Sequence, residues 1–312
     1  MNAALSRRSR RAALAAAVVA SLLAFADAHA LTVVDDAGRS LVFDRPPQRV
    51  VTLAPSLVEL VFAAGGGSSL VGTSALSDHP QEARAIPRVG DAGRLDVERV
   101  VALRPDLVLI WQRGNTSREL EQLEAAGIRL FQLEPRRLDD VARAIERLGV
   151  LLGHEVEANR RASEMRAALQ RLRSAHATVA PVQVFYQVWR QPLMTINGKQ
   201  IIDDILTLCG GRNVFANLTP LVPIISTEAV VGVDPEAILT ASETSNPAPW
   251  QRDPANKSFA AWHRHGSMTA VRRSWLYTLN GDIISRQGPR IVDGAAAVCA
   301  VLDQVRAERA AR

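Results

Sequence analysis

Short apolar runs alternate with amphipathic segments along most of the chain, and this pattern predicts its secondary structure. Residues 31–43, LTVVDDAGRSLVF, alternate apolar and polar positions around a central Asp-Ala-Gly, which predicts a β-hairpin. The run PDLVLIW at 105–111 shows no such alternation, as expected for a strand that both faces of a parallel sheet bury. Strand and helix signals continue to alternate from about Arg49 to Glu134, which indicates an α/β unit.

A long helical stretch separates this unit from a second one. The segment LDDVARAIERLGVLLG begins at Leu138, and residues 154–177 then run without a proline or glycine. Beyond Pro181, strand and helix signals return in VQVFYQV, IIDDILTLCGG and SWLYTLNGD, and a final helix follows. The sequence therefore predicts two α/β portions with mostly parallel sheets and a helical connection, which is unlike a hinge made of short extended linkers.

The first thirty residues follow a different pattern. The basic segment RRSRR at 7–11 is followed by an apolar run at 12–26 and by an A-x-A site at 28–30, which together are typical of a secretory signal peptide. The run is shorter than the roughly 20 residues of a membrane-spanning helix. We therefore favour a cleaved signal over a membrane anchor, and expect residues 1–30 to be removed on export. The paired arginines also fit, less well, a twin-arginine signal.

Composition indicates a folded globular protein, with 47% hydrophobic and 22% charged residues in 312, a length that suggests two domains. Loss of the signal peptide removes four arginines and one aspartate, which lowers the formal net charge from +5 to +2. The remaining chain has no cluster of basic residues interleaved with aromatic ones. We therefore expect no nucleic-acid partner.

The two cysteines, Cys209 and Cys299, favour one disulfide, because an isolated pair in an exported protein is usually joined. The alternative is a pair of small buried core residues.

Ligands of α/β proteins bind beyond the carboxyl ends of the strands. This criterion selects Trp111 and Arg113 after the strand LVLI, Trp189 and Arg190 after VQVFYQV, and Arg286 after the last strand. For Trp111 we favour ligand contact over the alternative of an aromatic at the sheet's edge. The arginines are surface charges by default, whereas three that converge on one cleft would favour an anionic ligand.

Enzyme and metal signatures are missing from the sequence. It contains no G-x-S-x-G, no H-E-x-x-H, no cysteine pair at metal spacing and no phosphate-binding loop that ends in Gly-Lys-Ser/Thr. His79 in SDHP has no second ligand at a suitable spacing, so we interpret it as a loop residue. We predict a protein that is not an enzyme and that has no cofactor and no resident metal.

Several segments together resemble one family. RVVTLAPSLVELVFAAG, VGTSALSDHP, LDVERVVALRPDLVLIWQRGN, CGGRNVF and GPRIVDGA are similar to the helical-backbone metal-chelate receptors, the substrate-binding proteins of ABC importers for cobalamin, haem and ferric siderophores. The segments IWQRGN and NGDIISRQGPR, together with the cysteine pair, are most similar to the cobalamin branch. The resemblance covers nearly all of the chain after the signal peptide.

The resemblance implies an α/β fold of two lobes, at 31–153 and 179–312, bridged by one long rigid helix at 154–178, with the ligand in the cleft between the lobes. It implies that Trp111, Asp282 and Arg286 contact a corrinoid, and we add Arg113, Trp189 and Leu76 as candidate contacts. The alternatives are a receptor for a ferric siderophore or haem, or an enzyme on the same scaffold.

The chain departs from the cobalamin branch at four positions where that branch has further pocket aromatics. Leu76, Ala92, Val188 and Val222 occupy them, so apolar contact is kept but ring stacking is reduced. Trp189 and Tyr186, from a neighbouring strand, are candidates to compensate. A broad, flat, amphipathic ligand suits a tryptophan plane with a few charged side chains around it.

The resemblance also implies a partner. In this family one glutamate on the outer surface of each lobe docks onto arginines of the membrane permease, and Glu98 in DVERV and Glu228 in STEAV match those positions. The alternative is that both are ordinary helix-start carboxylates favoured by the helix dipole. We expect a periplasmic monomer that delivers a small-molecule metal chelate to the permease of an inner-membrane ABC importer.

Overall fold

The structure is a computed structural model that describes residues 30–90, 94–111, 116–242 and 248–311. The predicted hairpin forms at the start of this part: β1 (Leu31–Val34) pairs antiparallel with β2 (Ser40–Phe43). No helix in the described ranges is both long and apolar enough to cross a bilayer. The predicted signal peptide lies outside the described residues, apart from Ala30.

The N-terminal lobe is built on a four-stranded parallel sheet in the order β4-β3-β5-β6. Its strands are β3 (Val50–Thr52), β4 (Leu70–Thr73), β5 (Leu107–Ile110) and β6 (Leu130–Gln132). Its helices are α1 (Pro55–Ala63), α2 (Val97–Ala102), α3 (Ser117–Ala125) and α4 (Leu138–Leu152). All four residues of β5 are buried, as its unbroken apolar run predicts. Thr116 and Glu119 form a reciprocal capping box that fixes the start of α3.

The C-terminal lobe contains a five-stranded sheet in the order β10-β7-β11-β13-β12, in which only β12 runs antiparallel. Its strands are β7 (Val182–Gln187), β10 (Gly211–Asn213), β11 (Ala237–Ala241), β12 (Trp250–Arg252) and β13 (Leu276–Leu279). A separate small hairpin is formed by β8 (Trp189–Arg190) and β9 (Leu193–Met194). The helices after the bridging helix are α6 (Ile201–Leu208), α7 (Thr227–Val233), α8 (Thr269–Arg272), α9 (Gly281–Ile284) and α10 (Ile291–Ala310).

One hydrophobic core continues through both lobes by way of the helices between them. Helix α5 (Glu155–Ala175) lies within the predicted connection at 154–178, and it packs on α4 and on α10. Buried residues of α4, α5, α6 and α10 belong to one contiguous cluster with residues of both central sheets. Asp204 of α6 also accepts a hydrogen bond from the backbone N–H of Leu138, the first residue of α4, at 2.9 Å. Helix α5 therefore connects the two lobes, as expected, and α4, α6 and α10 pack together at the same junction.

The predicted disulfide is confirmed. Cys209, at the end of α6, is bonded to Cys299 in α10, and both residues are buried in the core. The bond joins two helices of the C-terminal lobe across a sequence separation of 90 residues.

The two lobes repeat one local unit. In each lobe a side chain caps the start of a short helix, α2 or α7. The helix is followed by a residue with a left-handed backbone conformation, then by a proline, and then by a central strand, β5 or β11. The left-handed residues are Arg104, with φ 45°, and Asp234, with φ 43°. Glu98 precedes Arg104 by the same number of residues as Glu228 precedes Asp234.

Candidate functional site

The carboxyl ends of the two sheets face each other across a cleft. Asp78, in the loop after β4, accepts a hydrogen bond at 2.8 Å from Arg286, which follows β13 in the other lobe. Trp111, immediately after β5, lines one cavity together with Val222 and Gln287 of the C-terminal lobe. The strand ends that the sequence analysis selected are thus brought together at the cleft.

Exposed apolar side chains follow strand ends in both lobes. Leu76, after β4, is 67% exposed and Trp189 is 49% exposed, while Trp111 is half-buried and packs on the core. Sequence reasoning missed Ile224, which is 67% exposed and pairs with Met194 beside the β8–β9 hairpin. Its run VPIIS gave no strand or helix signal, so only the pairing reveals its place. Exposed apolar patches of this kind are typical of binding sites.

Trp189 and Tyr186 have different surroundings although both belong to the same chain segment. The indole N–H of Trp189 donates a hydrogen bond to the carbonyl of Gln191 at 3.0 Å, which orients the ring on the hairpin. Tyr186 is only 2% exposed, and burial raises the pKa of its hydroxyl. The expectation that Tyr186 supplies a ring to the ligand is wrong, because its side chain is buried in the main hydrophobic core.

Five charged residues, which we call the interlobe clasp, join the lobes at the cleft. Arg290 binds Glu59 of α1 through two hydrogen bonds, at 2.6 and 3.0 Å. Arg286 lies 2.7 Å from Asp282, 2.8 Å from Asp78 and 3.5 Å from Glu59. With three carboxylates and two guanidiniums, the interlobe clasp carries one net negative charge. Asp282 and Arg286, two of the six candidate ligand contacts, are therefore already paired with each other.

Burial and ion pairing act in opposite directions on these groups. Burial acts to raise the pKa of Asp78, but the hydrogen bond and charge of Arg286 outweigh it and the pKa is lowered. Burial likewise acts to lower the pKa of Arg290, whereas its hydrogen bonds to Glu59 raise it. Both residues are consequently ionised at neutral pH.

The remaining charged candidates lie elsewhere or outside the described part. Arg113 falls among residues 112–115, outside the described ranges. Arg190 is exposed on the β8–β9 hairpin, and His79 is exposed in the loop after β4. Across the described ranges, no group of three or more His, Cys, Asp or Glu side chains is arranged to hold a metal ion.

Glu98 is exposed in the first turn of α2. Asp96 caps this helix by accepting a hydrogen bond from the backbone N–H of Arg99 at 2.9 Å. Leu95 comes directly before Asp96, and its backbone N–H donates a hydrogen bond at 3.0 Å to the carboxylate of Glu119 in α3. These contacts fix the short helix, so the carboxylate of Glu98 is presented from a defined position.

Glu228 is exposed in the equivalent place on α7. Ser226 caps the helix by accepting a hydrogen bond from the backbone N–H of Ala229 at 3.2 Å. The pKa of Glu228 is lowered, first by a hydrogen bond from its own backbone N–H and then by the Ser226 hydroxyl. At the other end, Asp234 binds both the N–H and the hydroxyl of Thr269, at 2.7 and 2.8 Å. The helix is thus anchored at both ends.

Comparison with known proteins gives consistent matches over most of the chain. The family model described as periplasmic binding protein matches residues 50–283. The vitamin B12-binding protein of Vibrio parahaemolyticus is 32% identical over 267 residues, which cover 85% of this chain and 93% of that protein. The vitamin B12-binding protein of Photorhabdus laumondii is 35% identical and covers 82% and 88%.

Solved structures agree with this. The periplasmic vitamin B12-binding protein of Vibrio cholerae is 31% identical with a TM-score of 0.72, covering 83% of this chain and 98% of that one. A periplasmic haem-binding protein from Pseudomonas aeruginosa is 29% identical with a TM-score of 0.67, covering 81% and 92%.

Proposed function

The chain belongs to the periplasmic binding protein family, and from this premise we propose that it captures a corrinoid in the cleft and delivers it to an inner-membrane ABC importer. Members of this family bind and deliver a ligand without chemically changing it. The proposal includes export to the periplasm with cleavage of residues 1–30, and action as a monomer.

The observation that carries the proposal is the apolar character of the cleft. Leu76 and Trp111 from one lobe, with Trp189 and Ile224 from the other, leave apolar surface uncovered on both sides of it. A corrinoid has a broad ring face that would cover such surface, and a rim of neutral amides that needs only a few polar partners. The names of the relatives that match most of the chain support the same ligand class.

The charge of the cleft favours a corrinoid over the alternative ligands. Haem and the carboxylate or catecholate siderophores carry several anionic groups, which need more than one unpaired cation. Arg286 and Arg290 are already bound to Asp282, Asp78 and Glu59 in the interlobe clasp. A ligand with several negative charges would have to compete with those carboxylates, whereas neutral amides would not.

Calorimetric titration of the purified protein with cobalamin, cobinamide, haem and a ferric catecholate tests the proposal. We expect micromolar or tighter binding of a corrinoid, and weaker binding of haem and siderophore. Trp111→Ala should lower corrinoid affinity about 30-fold, because truncation of a tryptophan at a binding centre costs about 2 kcal/mol. Val156→Ala, at an 87% exposed apolar residue on α5, is the matched control. Absence of corrinoid binding at micromolar concentration would refute the proposal.

A further inference from the structure

A cavity of about 280 Å³ opens beside Trp111, and both lobes line it. The N-terminal lobe contributes Trp111, Glu134 and Arg136, and the C-terminal lobe contributes Lys199 and Gln287. The cavity therefore adjoins the predicted tryptophan contact but is chemically different from the apolar wall, because it contains both charged and amide groups.

Lys199 carries the net charge of this cavity. Arg136 lies 3.7 Å from Glu134, so these two charges offset each other. Lys199 is exposed and forms no ion pair with any residue in the described ranges. The described lining residues of the cavity thus carry one net positive charge, whereas the interlobe clasp has one net negative charge. An anionic group of a ligand in the cleft would be attracted to the cavity rather than to Arg286.

The backbone at Lys199 is fixed by a buried asparagine. The N–H of Lys199 donates to the side-chain oxygen of Asn197 at 2.9 Å, and Asn197 is 1% exposed. The amide group of Asn197 in turn donates to the carbonyls of Leu218 and Thr219, at 3.0 and 3.1 Å. The ammonium therefore extends from a defined turn, and only its own side-chain rotamers must be ordered when it binds an anion.

Resting on the proposed function, we infer that Lys199 binds the phosphodiester of a corrinoid's nucleotide loop. That phosphodiester is the single fixed negative charge on an otherwise amide-rimmed ligand, and a lysine ammonium is a compact charge that suits one phosphate group. Trp111 offers a ring face beside it, and Gln287 a side-chain amide. The chain would thereby select complete corrinoids over those that lack the nucleotide loop.

Titration of Lys199→Met with cobalamin and with cobinamide, which lacks the nucleotide loop, tests this inference. We expect the affinity for cobalamin to fall about tenfold to a hundredfold, the range of one charge-assisted hydrogen bond, and that for cobinamide not to fall. Lys199→Arg should keep most of the cobalamin affinity. Lys257→Met, at the chain's second lysine and outside the cavity, is the matched control and should change neither affinity.

Because Lys199 and Lys257 are the only lysines, acylation with an amine reagent gives a second measurement. Cobalamin should protect Lys199 from acylation and cobinamide should not, with Lys257 as the internal reference in the mass spectrum. Equal protection by both ligands, or equal loss of both affinities in Lys199→Met, would overturn this inference while leaving the proposed function intact. If the wild-type protein bound neither corrinoid, the proposed function would fail and this inference with it.

Discussion

Removal of Arg290 from the interlobe clasp should destabilise the protein strongly. Arg290→Met keeps the length of the side chain but removes both hydrogen bonds to Glu59, whose side chain is 2% exposed. Loss of one partner of a buried ion pair typically costs about 3–5 kcal/mol, because the other charge remains buried without compensation. Arg286, at 3.5 Å from the same carboxylate, retains part of the attraction. We therefore expect a loss near the lower limit, about 3 kcal/mol.

Urea unfolding of the disulfide-intact protein, followed by tryptophan fluorescence, measures this change. Arg171→Met, at an exposed arginine on α5 with no ion pair to a described residue, controls for the loss of one positive charge and should change the free energy of unfolding little. The double variant Glu59→Met/Arg290→Met removes the orphaned charge and should recover much of the stability. A loss below about 1 kcal/mol in Arg290→Met, or a double variant no more stable than that single one, would refute the reasoning.

Three further predictions concern other parts of the molecule. Replacement of Cys209 and Cys299 by alanine should lower the free energy of unfolding by up to about 4–5 kcal/mol in the chain-entropy treatment, measured by urea unfolding; a change near zero would contradict it. Charge reversal of both Glu98 and Glu228 to lysine should abolish corrinoid uptake in cells and leave calorimetric affinity unchanged, whereas lost affinity would place them in the binding site. Since the folded-state pKa of Asp78 is lowered, its stabilising effect is present above the unfolded value and lost as pH falls below about 4. Asp78→Asn should therefore lower the thermal midpoint more at pH 7 than at pH 3, and an equal deficit at both would exclude the ion pair as the cause.

Much of the fold could be predicted because its longer elements carry strong periodic signals. The buried run of β5 and the amphipathic α4 both lie where the pattern placed them. The sequence analysis did not identify β10 and β12, which are three residues long and contain polar side chains. Their strand conformation comes from pairing with β7 and β13, a tertiary effect that a local pattern does not encode.

The site was predictable to a similar extent. Trp111 follows a strong strand signal, so its position at the cleft could be derived from the rule for strand ends. The interlobe clasp could not, because Glu59 and Arg290 are 231 residues apart in the chain. A carboxylate within the apolar helix segment SLVELVF was the one local sign that Glu59 needed a partner, and it did not indicate which. Nothing in the sequence pointed to Lys199. Its proposed role depends on the ion pair between Arg136 and Glu134, which only the folded structure brings next to it.

The unit repeated in the two lobes has a consequence for any partner that contacts both glutamates. Glu98 and Glu228 each follow a capping residue, and each is separated by the same number of residues from a left-handed residue that leads into a central strand. The two carboxylates are thus set in matching local frames, related by an approximate internal duplication. A partner with two identical subunits needs only one recognition surface, used twice. Such a pair of subunits could also bind the receptor rotated by 180°, with Glu98 and Glu228 exchanged. Which of the two orientations is bound would then depend on the surfaces that differ between the lobes.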